Sequence, residues 1–166
     1  MVTFGKKYNI MIQRIQTIFL ALVVVLGVIS SFLPILGFTG DEADYIMNHY
    51  KTIAVDDASI IAKNMGVGVL QGIVLLVAIA TILLYKKRSL QMKLGKLIFL
   101  LITAQITAIV LYSDVVRETI DLNVEDVLVS FKIGAIIPVL SLILTYLAIR
   151  FIKKDDALVR SAERLR

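Results

Sequence analysis

The chain has 166 residues, 58% of them hydrophobic, with a mean hydropathy of +0.88 and a formal net charge of +5. A water-soluble domain of this length needs a more polar surface than that composition leaves, which excludes an ordinary soluble fold. With no Cys and a single His, disulfides, thiol catalysis and thiolate metal sites are excluded as well.

The N-terminal segment carries Lys6, Lys7 and Arg14, a charge of +3, ahead of a first apolar run at about 15–36. That run is too long for a signal-peptide core. Phe32-Leu33-Pro34-Ile35 stands where a small-residue cleavage site would fall, so the run is expected to be a retained helix. Pro34 favours a stop or kink at its outer end. The connection 37–65 sums to −3. Within it, 41–50 is expected to form a short helix with acidic residues in its first turn. Asp56 or Asp57 is expected to cap a helix through 58–63 that continues into the second apolar run, 66–85. A basic turn follows, with Lys86, Lys87, Arg88, Lys93 and Lys96 giving +5.

The third run covers 94–112 and leads into a second acidic connection, 113–132, of −3. There Asn123 and Asp126 suggest a cap for an outward extension of the fourth run, 133–152. The tail from Arg150 onward returns to +3. Apart from Lys96 and Arg150 at their inner ends, the four runs are free of charge. Each is near the ~20 residues that cross a ~30 Å hydrocarbon layer, and no amphipathic period stands out in any of them. Lys/Arg excess marks the cytoplasmic side, so the alternating charge places both termini and the middle turn inside. The expected fold is all-α, a single membrane domain built as a four-helix transmembrane bundle, with cytoplasmic termini, a cytoplasmic tail at 153–166 and two acidic extracytoplasmic connections. No strand and no internal repeat is expected. The net positive charge then has a topological origin, and no nucleic-acid partner is expected.

Candidate chemistry within the runs is read at Gln71, Thr81, Thr103, Gln105, Thr107, Ser141 and Thr145. Gln105, the most central, is expected to make an interhelical hydrogen bond worth ~0.6–2 kcal/mol. The alternative makes Gln71 and Gln105 the polar lining of a transport path in a small oligomeric transporter or channel. Gly68 and Gly72, four residues apart, are candidate sites of close helix packing together with Gln105. Pro138 should kink the fourth run. His49 is expected at the surface, because a lone His with scattered carboxylates lacks the ligand spacing of a metal site. The sequence holds no nucleophile–base pair and no phosphate-binding loop, so neither an enzyme nor a cofactor is expected.

The cytoplasmic side is richer in pattern. Lys86, Lys87 and Arg88 lie just under the membrane, where headgroups of anionic lipids attract them. In the tail, Leu158, Ala162 and Leu165 fall on one helical stripe flanked by Arg160, Arg164 and Arg166. Together with Arg14 these are candidate partner-binding residues, facing membrane lipids and other inner-membrane or cytoplasmic proteins. An accessory or scaffold subunit of a larger membrane assembly is the expected function.

The same three cytoplasmic pieces carry a resemblance. Met11-Ile12-Gln13-Arg14-Ile15-Gln16-Thr17, Leu84-Tyr85-Lys86-Lys87-Arg88-Ser89-Leu90-Gln91 and the tail from Lys154 to Arg166 are similar to the N-terminal, central and C-terminal signatures of a known family. It is a group of small four-helix inner-membrane proteins of Gram-negative bacteria, the domain of unknown function 4293. The resemblance runs from Met11 to the end of the chain. It implies a bacterial inner membrane and four helices, and it brings no activity, substrate or catalytic residue.

Overall fold

The computed structural model describes residues 3–40, 43–85, 87–120 and 127–164, and the side chains of these from 16 to 157. In chain order the elements are α1 (Thr3–Ser30), β1 (Leu36–Thr39), β2 (Asp44–Met47), β3 (Lys51–Ala54), β4 (Ile60–Lys63), α2 (Met65–Leu83), α3 (Arg88–Ile120), β5 (Leu128–Phe131) and α4 (Ile133–Arg164). Among the described residues, Met65–Leu83, Arg88–Ile120 and Ile133–Ala157 are long and apolar enough to cross a membrane, which fits a membrane protein. In α1 the corresponding stretch, Gln16–Ser30, is shorter.

The helices pack through one inward stripe each, with residues three and four apart. On α1 the buried positions are Gln16, Leu20, Val23, Gly27 and Ser30, and on α2 they are Val67, Gln71, Val74, Ala78 and Thr81. On α3 they are Gln91, Gly95, Ile98, Ile102, Gln105 and Ile109, and on α4 Ser141, Thr145, Ala148, Ile152 and Asp155. A period is therefore present where none was expected. Inside, it is carried by small and amide side chains together with Leu20, Val23, Ile98, Ile102 and Ile152, while other large apolar residues, Leu76 and Leu100 among them, are exposed to the surroundings. Lipid is as apolar as leucine, so nothing drives leucine inward. Small side chains do pack closely, and polar ones find partners only between helices.

The expectation of an all-α chain is wrong. The five strands form one antiparallel sheet in the order β4-β3-β2-β1-β5. It joins the same end of every helix, since α1 runs into β1, β4 into α2, and β5 into α4. Where a short helix was expected at 41–50, the described residues from 44 to 50 are instead β2 and its turn, paired Leu36↔Met47 and Phe38↔Tyr45 with β1. The helix expected at 58–63 is the β3–β4 turn followed by β4. Ala58, read as a helix former, sits at φ 57°, a left-handed conformation that no α-helix holds. The Asp57 carboxylate accepts the Ser59 N–H at 2.9 Å and fixes that turn rather than capping a helix. The first apolar run also ends earlier than expected: α1 stops at Ser30, and Leu36 belongs to β1. The cap expected at Asn123 and Asp126 lies outside the described residues.

Two hydrophobic layers result. Leu20, Val23, Val74, Ala78, Ile98, Ile102 and Ala148 fill the middle of the helices. Ile35, Leu36, Phe38, Met47, Val67, Ile109 and Val116 bind the inner face of the sheet to α2 and α3. The second layer exists because α3, at 33 residues, is about 50 Å long and outruns a ~30 Å hydrocarbon core.

Candidate functional site

The interior was the first place where the sequence suggested chemistry. Gln105 Nε2 donates to Gln71 Oε1 at 2.7 Å, and Gln71 Nε2 donates to the Gly27 carbonyl at 2.9 Å. Three helices are thereby joined by two hydrogen bonds. A Cβ on Gly27 would lie 2.7 Å from the Gln71 amide nitrogen, so a side chain there would have to push that amide aside. Beside this chain lies a cavity of about 10 Å³, bounded by Val23, Ser30, Ile102, Pro138 and Ser141 as well as the two glutamines. That volume holds at most one water molecule, so both amides serve the packing of the helices.

The two glycines expected to bring helices together differ. A Cβ on Gly68 would strike the Tyr50 ring and come within 3.1 Å of the His49 carbonyl. Its neighbour is thus the β2–β3 turn, not another helix. Gly72 has nothing within 4 Å and makes no close approach. Pro138 lies inside α4 as expected, on the wall of the cavity.

His49 is fully buried, contrary to the surface position expected for it. Its Nε2 lies 3.4 Å from Ser30 Oγ, at the C-terminal end of α1. Burial without a charged neighbour pushes the imidazole pKa down to about 4, so the ring is neutral at physiological pH. Asn64, also fully buried, completes this layer beside the sheet by donating to Thr52 Oγ1 at 2.9 Å and to the Asn48 carbonyl at 3.2 Å. Among the described residues no three His, Cys, Asp or Glu side chains gather as metal ligands do.

At the opposite end the predicted partner residues divide. Arg88 opens α3 and binds Asp155 of α4, with Nε 2.9 Å from Oδ2. Asp155 is only 1% exposed, so this pair is a clasp between helices rather than a surface contact. Gln91 lies on the same stripe of α3, one turn further in, and is buried with it. Phe19 of α1 stacks on Phe151 of α4 with ring centroids 5.5 Å apart, which places Gln16 and Asp155 at one level. Lys87 is exposed in the tight turn, where its N–H donates to the Leu84 carbonyl. Arg14 lies on α1, and Leu158, Arg160 and Arg164 lie on the continuation of α4, but their side chains are outside the described residues, as are Lys86, Leu165 and Arg166.

Gln16, Gly27, Ser30, Asn64 and Asp155 were missed as site residues. Four of them were legible in principle, because each continues the three-and-four spacing of its helix into a buried stripe. Asn64 gave no such signal, since its partners come from a hairpin that sequence spacing does not reveal.

A family model described as a domain of unknown function (DUF4293) matches residues 12–165, nearly the whole chain. No curated protein matches it.

Proposed function

The chain belongs to the DUF4293 family, and since membership brings no activity with it, we propose that this member is a non-catalytic accessory or scaffold subunit of an assembly in a bacterial inner membrane. It is multi-pass, with the Lys86–Lys96 turn and the tail inside and the five-stranded sheet outside, as the charge alternation favours. The observation that carries the reading is the closed interior. Gln105, Gln71 and Gly27 satisfy one another around space for one water, while both ends of the molecule are built surfaces. Outside, Ile46, Ile53 and Ile60 sit in register across β2, β3 and β4 on the face turned away from the helices. Inside, Arg14, Lys86, Lys87 and the tail residues Leu158, Arg160, Arg164, Leu165 and Arg166 supply the basic rim that protein partners would meet. Membrane lipids surround the rest.

Purification in mild detergent at native expression is expected to recover a stoichiometric partner. Changing Arg160, Arg164 and Arg166 together to Glu should release it. A transport path would need the two glutamines to part. Recovery of the chain alone, or solute flux in liposomes that Gln105→Leu abolishes, would overturn the reading.

A further inference from the structure

The cytoplasmic ends of α3 and α4 leave between them a groove of about 460 Å³, lined by Met92, Lys96, Ile149, Lys153, Asp156 and Ala157. We propose that this groove binds one anionic phospholipid of the phosphatidylglycerol type, with its phosphate between Lys96 and Lys153 and its acyl chains running outward along α3 and α4.

The volume lies within the ~300–1,000 Å³ typical of small-ligand sites. The position follows from two contacts that set the register of the antiparallel helices. Arg88 meets Asp155, and a Cβ on Gly95 would lie 3.0 Å from Ile149. In that register Lys96 and Lys153 are five to six residues apart along the axis, roughly 8 Å. Two lysine side chains converge across such a gap on one phosphate, the deeper one by extending toward the membrane surface. Both lysines are exposed.

The depth fits a lipid. Lys96 is the last charge on α3 until Asp114, so the groove straddles the boundary between headgroups and hydrocarbon. Directly outward of it, Leu100 at 64% and Tyr146 at 56% exposure continue the apolar floor of Met92, Ile149 and Ala157. A lipid chain has that surface to follow; a soluble anion has no use for it. Basic pockets between helices on the cytoplasmic side are the usual setting for anionic lipid heads. Asp156 lines the cytoplasmic end, one helical turn beyond Lys153.

Of the preceding reading, the site shares only the orientation, and binding measured in detergent is independent of orientation and of any protein partner. The full chain in nonionic detergent should bind dioctanoyl phosphatidylglycerol and leave dioctanoyl phosphatidylcholine unbound, as read by native mass spectrometry. Lys96→Gln with Lys153→Gln should weaken that binding about 30-fold, the factor expected for two near-surface basic residues. Ala157→Phe, which fills the groove without touching charge, should abolish it. Lys51→Gln with Lys63→Gln, on the sheet, should leave it unchanged. Equal binding of the zwitterionic lipid, equal loss in the sheet variant, full retention in either groove variant, or displacement by millimolar inorganic phosphate would each overturn the site.

Discussion

His49 shows how burial and charge oppose each other at a single position. The ring has no exposure, and its pKa falls from an ordinary 6.5 to about 4. Above pH 6.5 neither the folded nor the unfolded chain holds a proton there, and stability has no slope from this residue. Between 6.5 and 4 the unfolded chain takes up a proton that the folded chain refuses, so stability falls as pH falls. Below about pH 4 the loss is complete, at about 3 kcal/mol. A thermal midpoint in detergent should therefore drop from pH 7 to pH 4, and His49→Gln should flatten that part of the profile. An unchanged slope in the variant would assign the loss to other groups. The Arg88–Asp155 clasp gives a second expectation. Asp155→Asn removes the charge that Arg88 binds and should cost about 1–3 kcal/mol, below the range for fully buried pairs because the Arg88 side chain is 27% exposed. Replacing both by Leu should recover most of that loss, as a double-mutant cycle of thermal midpoints would show. From the sequence, Arg88 was visible as a cation and Asp155 as one acid in a mixed tail. Their pairing depends on two helices meeting, and no local pattern states that.

Among the elements, the helices were largely legible and the strands were not. The expected runs 66–85 and 133–152 match α2 at Met65–Leu83 and the start of α4 at Ile133, since twenty apolar residues in a row leave little else. Every strand is four residues long. Alternation over so short a span is indistinguishable from chance, and acidic residues near 41–44 and 56–57 imitated helix starts. What makes β1 a strand is tertiary: Leu36 and Phe38 are buried on the helices while Gly37 lies under Lys132 and Ser130 on the other face. Contacts between elements also decide what a glycine does, as Gly134, which the sequence did not single out, and Gly72, which it did, show. Gly134, in the first turn of α4, donates its N–H to the Pro34 carbonyl at 2.9 Å, and a Cβ there would collide with that carbonyl group. Gly134→Ala should cost about 1–3 kcal/mol, because backbone cannot step aside as a side chain can. Gly72→Ala meets open space and should be neutral or stabilising by up to ~1 kcal/mol. Thermal midpoints of the two variants would rank them, and a reversed order would contradict the packing at Pro34.

For the whole molecule, the decisive property is which end faces the cytoplasm. A chain without Cys allows one to be placed at Ser59, on the β3–β4 turn, or at Ser89, at the start of α3, both exposed. In intact cells a membrane-impermeant thiol reagent should label Ser59→Cys at once and Ser89→Cys only after lysis. The opposite pattern would invert the molecule. The charge alternation that predicts this result was complete in the sequence, because orientation is set by simple counts of Lys and Arg beside each apolar run. The sheet was hidden for the complementary reason that its order, β4-β3-β2-β1-β5, joins β1 to β5, strands separated by two helices.

One unbroken α3 bears Arg88 at its first residue and Val116 near its last, the first held by α4 and the second by the hydrophobic layer under the sheet. Such a rod acts as a lever between the two ends of the molecule. Swinging it by 10° about one end carries the other some 9 Å sideways, given its length of about 50 Å. Whatever tugs on the clasp is thus mechanically coupled to the strands at the opposite end of the helices.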